Sequence, residues 1–203
     1  MRTVSKTGNK KVRTGTISAI TGAIICQGGK AKDLTAIVRN DELLKQLATT
    51  IIELSKKIIQ VIVDCTMSLG DMIDAGKYDW VNSNINANNF PISRKGKKVV
   101  SIELWHPNRY FNNGDEVIAE LKKTKPGYRF TQIEELLALG AVRPDLQRQF
   151  PIAALGSIWH PAGDRDFAFL DRHDAERNLF LDYLERDFSD RWRFAVVREH
   201  ACR

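Results

Sequence analysis

The histidines, cysteines and carboxylates of this chain lack the spacings that catalysis and metal binding require. The sequence contains no phosphate-binding glycine-rich loop, no GxSxG nucleophile motif and no HExxH zinc motif. None of its four histidines pairs with another histidine or a cysteine at metal-ligand spacing, and its three cysteines include no CxxC pair. Asp164 and Asp166 imitate part of a calcium loop, but the DxDxDG spacing and the later glutamate are missing. We therefore predict a non-enzymatic protein with no cofactor and no metal. A hydrolase that uses the aspartates of residues 164–182 is an alternative.

The chemistry that the sequence supports best is surface recognition by residues 171–192 (DRHDAERNLFLDYLERDFSDRW). Their mixture of Arg, Asp, Tyr, Ser and Asn resembles a paratope, in which rigid aromatic rings and adaptable polar groups share the contacts. Leu179 and Leu181 alternate with other side chains, so one face of the stretch can be buried. The alternative is a solvated, salt-bridged surface without a ligand. The predicted ligand-binding residues are Arg172, His173, Asp174, Arg177, Asn178, Phe180, Asp182, Tyr183, Arg186, Asp187, Ser189, Asp190 and Arg191.

The positive charge of the chain is confined to its N-terminal part. The whole sequence has a formal net charge of +6, but residues 1–39 carry eight basic residues and one acidic residue, a net charge of +7. Residues 40–203 therefore have a net charge of −1. This distribution predicts a flexible basic leader on a nearly neutral body. It also gives the alternative function, a nucleic-acid-associated protein that binds through this leader.

Residues 14–26 follow five basic residues and loosely imitate a signal peptide. Three threonines and a serine dilute the apolar run, which is also too short to span a bilayer. No other stretch approaches transmembrane length, so we predict no membrane span. A cytoplasmic location is favoured, and secretion or surface exposure is the alternative.

An amphipathic helix is predicted over residues 40–57, with Asn40 or Asp41 as its N-cap. Its apolar residues follow at steps of 3, 4, 3, 4 and 3, which is the spacing of a heptad seam. Such a seam fits a helix that packs one face on its own domain. The alternative is an oligomerisation helix, which would make the protein a homo-oligomer. The seam consists of Leu44, Leu47, Ile51, Leu54, Ile58 and Val61.

The order of helix and strand signals in residues 58–203 predicts an α+β fold and not a doubly wound sheet. Ser68 is predicted to cap the first helix. Thr131 and Glu134 have the spacing of a capping box, and Gly140 is the predicted C-cap. Residues 93–98 (SRKGKK) form a predicted basic turn. The predicted strands are 58–65, 99–106, 151–159, 167–170, 178–184 and 192–198, and the predicted helices are 68–77, 114–125 and 130–139.

Four landmarks in residues 58–203 resemble a family of uncharacterised bacterial proteins found widely in genomes of uncultivated lineages. They are SLGDMIDAGKYDWVNSNINANNFPI, ELWHPNR, GYRFTQIEELLALGAVRPDLQRQFPIAALGSIW and RWRFAVVRE. The sequence departs from that family at Arg129-Phe130-Thr131, where an R-P-A-T-like helix start is more usual, and at RFAVVRE, where RFLAVRK is more usual. The end region of the family resembles the C-type-lectin fold of variable proteins of diversity-generating retroelements.

The resemblance implies a C-type-lectin-like domain over residues 58–203, with two or more helices and a mixed or antiparallel sheet closed by a C-terminal Arg-Phe-rich strand. It also implies that residues 171–192 present changeable side chains to a protein or another macromolecular ligand. Retroelement diversification acts on adenines, and Asn-type template codons cannot yield Glu or Trp. Glu176, Glu185 and Trp192 would therefore be fixed positions.

Overall fold

The computed structural model describes Ile25 and residues 28–199. The chain divides into two compact units, Met1–Ser55 and Lys56–Arg203. Helix α1 spans Ala31–Val38 and lies within the predicted leader. The signal-peptide-like residues 14–26 lie outside the described residues, apart from Ile25.

Helix α2 spans Asp41–Lys57 and is capped by Asn40, whose side-chain oxygen accepts the backbone N–H groups of Glu42 and Leu43, both at 3.1 Å. The predicted heptad seam extends too far, to Val61. The helix ends at Lys57, because the next residues (IIQVIVD, Ile58–Asp64) are rich in β-branched side chains and form a strand. The seam within the helix therefore keeps four positions, Leu44, Leu47, Ile51 and Leu54.

The unit Lys56–Arg203 has the predicted α+β class. Among the described residues of the chain, no helix is both long enough and apolar enough to cross a membrane. The elements of the unit Lys56–Arg203 are β1 (Ile58–Asp64), α3 (Leu69–Gly76), β2 (Trp80–Val81), β3 (Lys97–Trp105), α4 (Gly114–Thr124), β4 (Tyr128–Phe130), α5 (Ile133–Val142), a 3-10 helix (Leu146–Arg148), β5 (Ile152–Trp159), β6 (Asp166–His173), β7 (Glu176–Tyr183) and β8 (Arg193–Arg198).

One mixed sheet of eight strands organises this unit, in the order β1-β3-β8-β5-β6-β7-β2, with β4 also paired to β8. The β5–β8 and β2–β7 pairs are parallel, and the other pairs are antiparallel. The resemblance implied that the C-terminal strand closes the sheet, but β8 lies inside it, between β3 on one side and β5 and β4 on the other. Residues 194–197 are all buried, as expected for a strand with neighbours on both edges and cover on both faces.

The two faces of the sheet bury two different hydrophobic cores. In β6, Ala168 and Leu170 point to one core while Phe167 and Phe169 point to the other, as the two-residue period of a strand requires. Helices α3 and α5 cover the first, mainly aliphatic core. Helix α4 and two loops cover the second core, which is rich in aromatic rings. The candidate site lies on those loops.

Helix α5 begins at Ile133, three residues after the predicted start, and its N-cap lies one residue later than predicted. The capping box pairs Gln132 with Glu135 and not Thr131 with Glu134, because the backbone N–H of Thr131 still bonds the Ala195 carbonyl of β8, at 2.9 Å. Gly140 is not the C-cap, since the helix continues to Val142. A Cβ at Gly140 would stand 2.1 Å from the Tyr78 hydroxyl, so glycine is needed there for close packing.

Candidate binding surface on two paired loops

The thirteen predicted ligand-binding residues do not share one surface. Arg172, His173 and Asp174 are exposed at the tip of the β6–β7 hairpin. Residues 182–191 lie at and beyond the other end of β7. The eight residues of that strand separate its two ends by about 23 Å, at a rise of about 3.3 Å per residue.

Two of the thirteen residues, Arg177 and Asn178, are buried inside the unit. The guanidinium of Arg177 donates to the backbone carbonyls of Gly76 at 2.8 Å and Gly140 at 2.9 Å, and to the side-chain oxygen of Gln147 at 3.1 Å. It thereby ties the ends of α3 and α5 to the hairpin. We therefore leave Arg177 and Asn178 out of the candidate surface, because their side chains lie in the interior.

Phe180 is half-buried and belongs to the aromatic core rather than to a free surface. Its ring stacks on Phe169 with centroids 5.2 Å apart and tilts against Trp80 at the same distance. Such pairs fix the ring in place.

The loop of residues 184–192 is anchored at every fourth residue. Leu184, Phe188 and Trp192 are buried in the aromatic core, where the Trp192 ring lies 5.1 Å from Phe169 and 5.2 Å from Phe188. Five of the six residues between these anchors are exposed, and Arg186 is half-buried. The spacing of the anchors thus holds the backbone down while the intervening side chains face outward.

A second loop, residues 106–113, runs antiparallel to the first and is joined to it by backbone hydrogen bonds. Phe111 and Phe188 exchange N–H to carbonyl bonds in both directions at 2.9 Å, and the N–H of Gly114 donates to the carbonyl of Leu184 at 2.7 Å. His106 Nε2 lies 2.8 Å from the carbonyl oxygen of Asp190. We call residues 106–113 and 183–192 together the paired-loop surface.

Side-chain bonds fix most of the charged groups of the paired-loop surface. The Tyr110 hydroxyl donates to Asp187 at 2.9 Å, and this hydrogen bond raises the pKa of Tyr110 above its ordinary value. Arg186 pairs with Asp182, and its guanidinium lies over the Trp192 ring. These contacts give the surface a fixed pattern of charge.

Arg165 ties the paired-loop surface to α4. Its two terminal nitrogens donate to the Asp115 carboxylate at 2.9 and 2.8 Å, and its Nε donates to Glu185 at 2.6 Å. The fork geometry of the guanidinium suits this double contact.

Two exposed tyrosines give the surface its apolar contact area. Tyr110 is 55% exposed and Tyr183 is 56% exposed. Among the described residues, the side chains of Tyr183, Ser189 and Arg191 accept or donate no hydrogen bond. They are therefore available to a ligand without the loss of an internal contact.

The sequence did not predict residues 106–113 as part of the site. The pairing of Tyr110 with Asp187 joins residues 77 positions apart, and no local pattern reports such a contact. The available signal was the aromatic pair Tyr110-Phe111 in a short loop between a strand and a helix.

The five aspartates of the alternative hydrolase divide between the two ends of the β6–β7 hairpin. Asp164, Asp166 and Asp182 lie near one another at one end, where burial and the charges of the other two raise the pKa of Asp166, while Asp171 and Asp174 lie toward the other end. Within the described part of the chain, no three His, Cys, Asp or Glu side chains come together as a metal site would require.

Comparison with protein-family models, curated proteins and solved structures found no match for this chain. Its functional interpretation therefore depends on its own residues.

Proposed function

We propose that this protein is a non-enzymatic binding protein that contacts a macromolecular ligand with its paired-loop surface. The observation that carries the proposal is the four-residue spacing of Leu184, Phe188 and Trp192, which fixes a loop whose other side chains are exposed. A loop already held in place loses little conformational entropy on binding, so more of the contact energy appears as affinity.

Tyr110 and Tyr183 supply the exposed aromatic side chains with which this surface would contact the ligand. Interface energy is concentrated in a few aromatic and arginine side chains, and tyrosine offers large area at a low entropic cost. Ser189, Asp190 and Arg191 supply adaptable polar contacts next to them. A protein ligand fits this combination best.

We extend the proposal to a C-type-lectin-like protein diversified by a retroelement. Of the three positions that diversification would leave constant, Trp192 is a core residue and Glu185 is bonded to Arg165, which supports the extension, whereas Glu176 is exposed. The interior place of β8 in the sheet differs from what that resemblance implies. A neighbouring reverse-transcriptase gene with a near-copy of the coding sequence for residues 171–192 is the genomic observation that tests this extension.

The proposal is tested by measuring the affinity of a captured protein ligand for two double variants. The ligand is first isolated on the immobilised full chain and purified, and its Kd is then measured by biolayer interferometry. Tyr110→Ala/Tyr183→Ala is expected to weaken binding at least tenfold, because it removes both aromatic anchors. Arg172→Ala/His173→Ala, at the hairpin tip, is the matched control and should bind as the wild type does.

The reverse result contradicts the proposal. Loss of binding in the hairpin-tip variant with full binding in the tyrosine variant would place the site at the tip. Wild-type binding by both variants would show that neither the paired-loop surface nor the hairpin tip is the binding site.

A further inference from the structure

Strands β3 and β8 separate at one end of the sheet and leave a notch between them. Their pairing stops at Ile102 and Val197, although β3 continues to Lys97. Beyond Val197, β8 is paired only on its other edge, where β4 lies. There Arg198 pairs with Tyr128, and the N–H of Glu199 donates to the Gly127 carbonyl at 2.7 Å. The cavity between the strands has a volume of about 620 Å³. We call it the β3–β8 notch.

Four cationic side chains line the notch. Arg94 comes from the segment before β3, Lys98 from β3 itself, where the predicted basic turn of residues 93–98 gives way to the strand at Lys97, Arg129 from β4, and Arg198 ends β8. Two carboxylates, those of Glu103 and Glu199, also line it. The carboxylate of Glu103 is already engaged, because Lys125 donates to it at 2.6 Å. The cations therefore outnumber the carboxylates that remain for them.

A buried carboxylate holds two of these arginines in position. Glu135 is fully buried, and it accepts Arg94 Nη1 at 2.7 Å and the two terminal nitrogens of Arg129 at 2.6 and 2.7 Å. Arg94 Nε also forms a longer ion pair with Glu134, at 3.9 Å, so Glu134 and Glu135 together face the two guanidinium groups. Nε and Nη2 of Arg94 nevertheless donate no hydrogen bond to any described residue. Arg94 is thus oriented by Glu135 with donors to spare.

Apart from Ser101, the other side chains that line the notch are aliphatic or aromatic. Val99, Val100 and Val197 contribute aliphatic surface, and Tyr128 contributes its ring. Binding sites for small molecules have volumes of about 300–1,000 Å³ and combine apolar walls with a few placed polar groups. The notch meets both criteria.

We infer that the β3–β8 notch binds a small organic ligand that carries a phosphate or carboxylate group on an apolar body. Arg94 and Arg198 bind the oxyanion with charge-assisted hydrogen bonds, and the valines and Tyr128 contact the body. Glu135 is a positioning residue, since it acts through the two arginines. The site lies apart from the paired-loop surface in sequence, so either proposal can fail while the other stands.

The test is a titration of the full ¹⁵N-labelled chain followed by amide NMR, with phenyl phosphate, benzoate and the neutral benzyl alcohol as probes. We expect saturable shifts at residues 98–101 and 197–199 with at least one anion and none with benzyl alcohol. The anion with the lower Kd identifies the headgroup. Arg94→Gln should weaken that Kd about tenfold, the worth of one hydrogen bond to a charged group. The control Arg172→Gln, at the hairpin tip, should leave it unchanged.

Three results would overturn the inference: no saturable shift in the notch with either anion, equal shifts with benzyl alcohol, or wild-type affinity in both Arg94→Gln and Arg198→Gln. If Arg94→Gln does not fold, Arg198→Gln decides alone, because Arg198 is exposed and makes no ion pair with a described residue.

Discussion

Two consecutive glutamates of α5 experience opposite electrostatic environments. Burial acts to raise the pKa of Glu135, but hydrogen bonds from Arg129 and from the Gln132 N–H outweigh it, and the net pKa lies below the ordinary value. Burial raises the pKa of Glu134, one of whose carboxylate oxygens accepts no hydrogen bond from a described residue. The same helix turn therefore holds one stabilising and one destabilising carboxylate.

Neutralising Glu135 should lower stability, whereas neutralising Glu134 should not. Glu135→Gln leaves two guanidinium groups without their carboxylate and should lower the free energy of unfolding by about 3 kcal/mol, the low end for a broken buried pair because the arginines are partly exposed. Glu134→Gln removes a buried charge and should leave stability at pH 8 unchanged or raised. Urea denaturation of both variants at pH 8 measures the difference. Equal losses of stability in the two variants would show that Glu134 and Glu135 do not differ in their electrostatic contribution to stability.

The same pair predicts the pH dependence. Because the folded pKa of Glu135 is lowered, its contribution is complete above the unfolded pKa and is lost as the pH falls through the folded value. The folded pKa of Glu134 is raised, so its penalty develops as the pH rises above the unfolded value and is absent below it. The stability difference between Glu134→Gln and wild type should therefore disappear near pH 4.

Arg177 shows what a sequence cannot report about a single residue. In the sequence, Arg177 belongs to the charged stretch that was predicted to be exposed, and arginine is a residue type common in binding sites. In the fold its partners are the carbonyls of Gly76 and Gly140, which are 101 and 37 positions away. Its burial depends on those distant partners, and no local pattern encodes them.

At the scale of elements, signals within a few residues predicted structure well. Ser68 caps α3 as expected, because its hydroxyl accepts the Asp71 N–H at 3.1 Å and both groups are local. The N-cap of α5 was misplaced by one residue, because Thr131/Glu134 and Gln132/Glu135 have the same spacing. The choice between them depends on β8, which lies far along the chain.

Gly114 joins α4 to the paired-loop surface, and its substitution should loosen that contact. A Cβ at Gly114 would stand 2.2 Å from Leu184 Cδ1, so Gly114→Ala forces the anchor to shift and should cost about 1–3 kcal/mol. Urea denaturation measures the loss, and hydrogen exchange of residues 184–192 should become faster.

Gly70→Ala is the matched control for this substitution. Its Cβ would meet Ser68 Oγ at an ordinary 3.7 Å, and alanine in a helix is favoured over glycine by about 0.5–1 kcal/mol. Gly70→Ala should therefore be neutral or stabilising. A stable Gly114→Ala variant with unchanged exchange would mean that Leu184 is not a rigid anchor.

At the scale of the whole molecule, charge and structure are divided between two units. The +7 charge of residues 1–39 belongs to the unit Met1–Ser55, while the sheet and both candidate sites belong to Lys56–Arg203. The positions of the charged residues gave the charge division, and the order of helix and strand signals predicted the α+β class. The order of strands could not be predicted, because pairing partners are set by packing across the whole sheet.

Removal of residues 1–39 tests the alternative nucleic-acid function. If the leader binds DNA, the Kd of the full chain should rise steeply with salt, with a slope of about −0.9 in log affinity per phosphate neutralised. The chain of residues 40–203 should lose this binding, because its net charge is −1. Fluorescence anisotropy with a duplex at two salt concentrations measures both. Equal binding by the two chains would contradict the function.

The interior position of β8 has a consequence for the newly made protein. A ribosome releases the chain from its N-terminus at about 5–20 residues per second, and contacts between distant residues form late. Until residues 193–198 emerge, β3 and β5 keep unpaired edges and the aromatic core lacks Phe194. The nascent chain thus passes through a state with open strand edges, which invite pairing with other chains. The fold of this unit is completed after residues 58–192 have been synthesised.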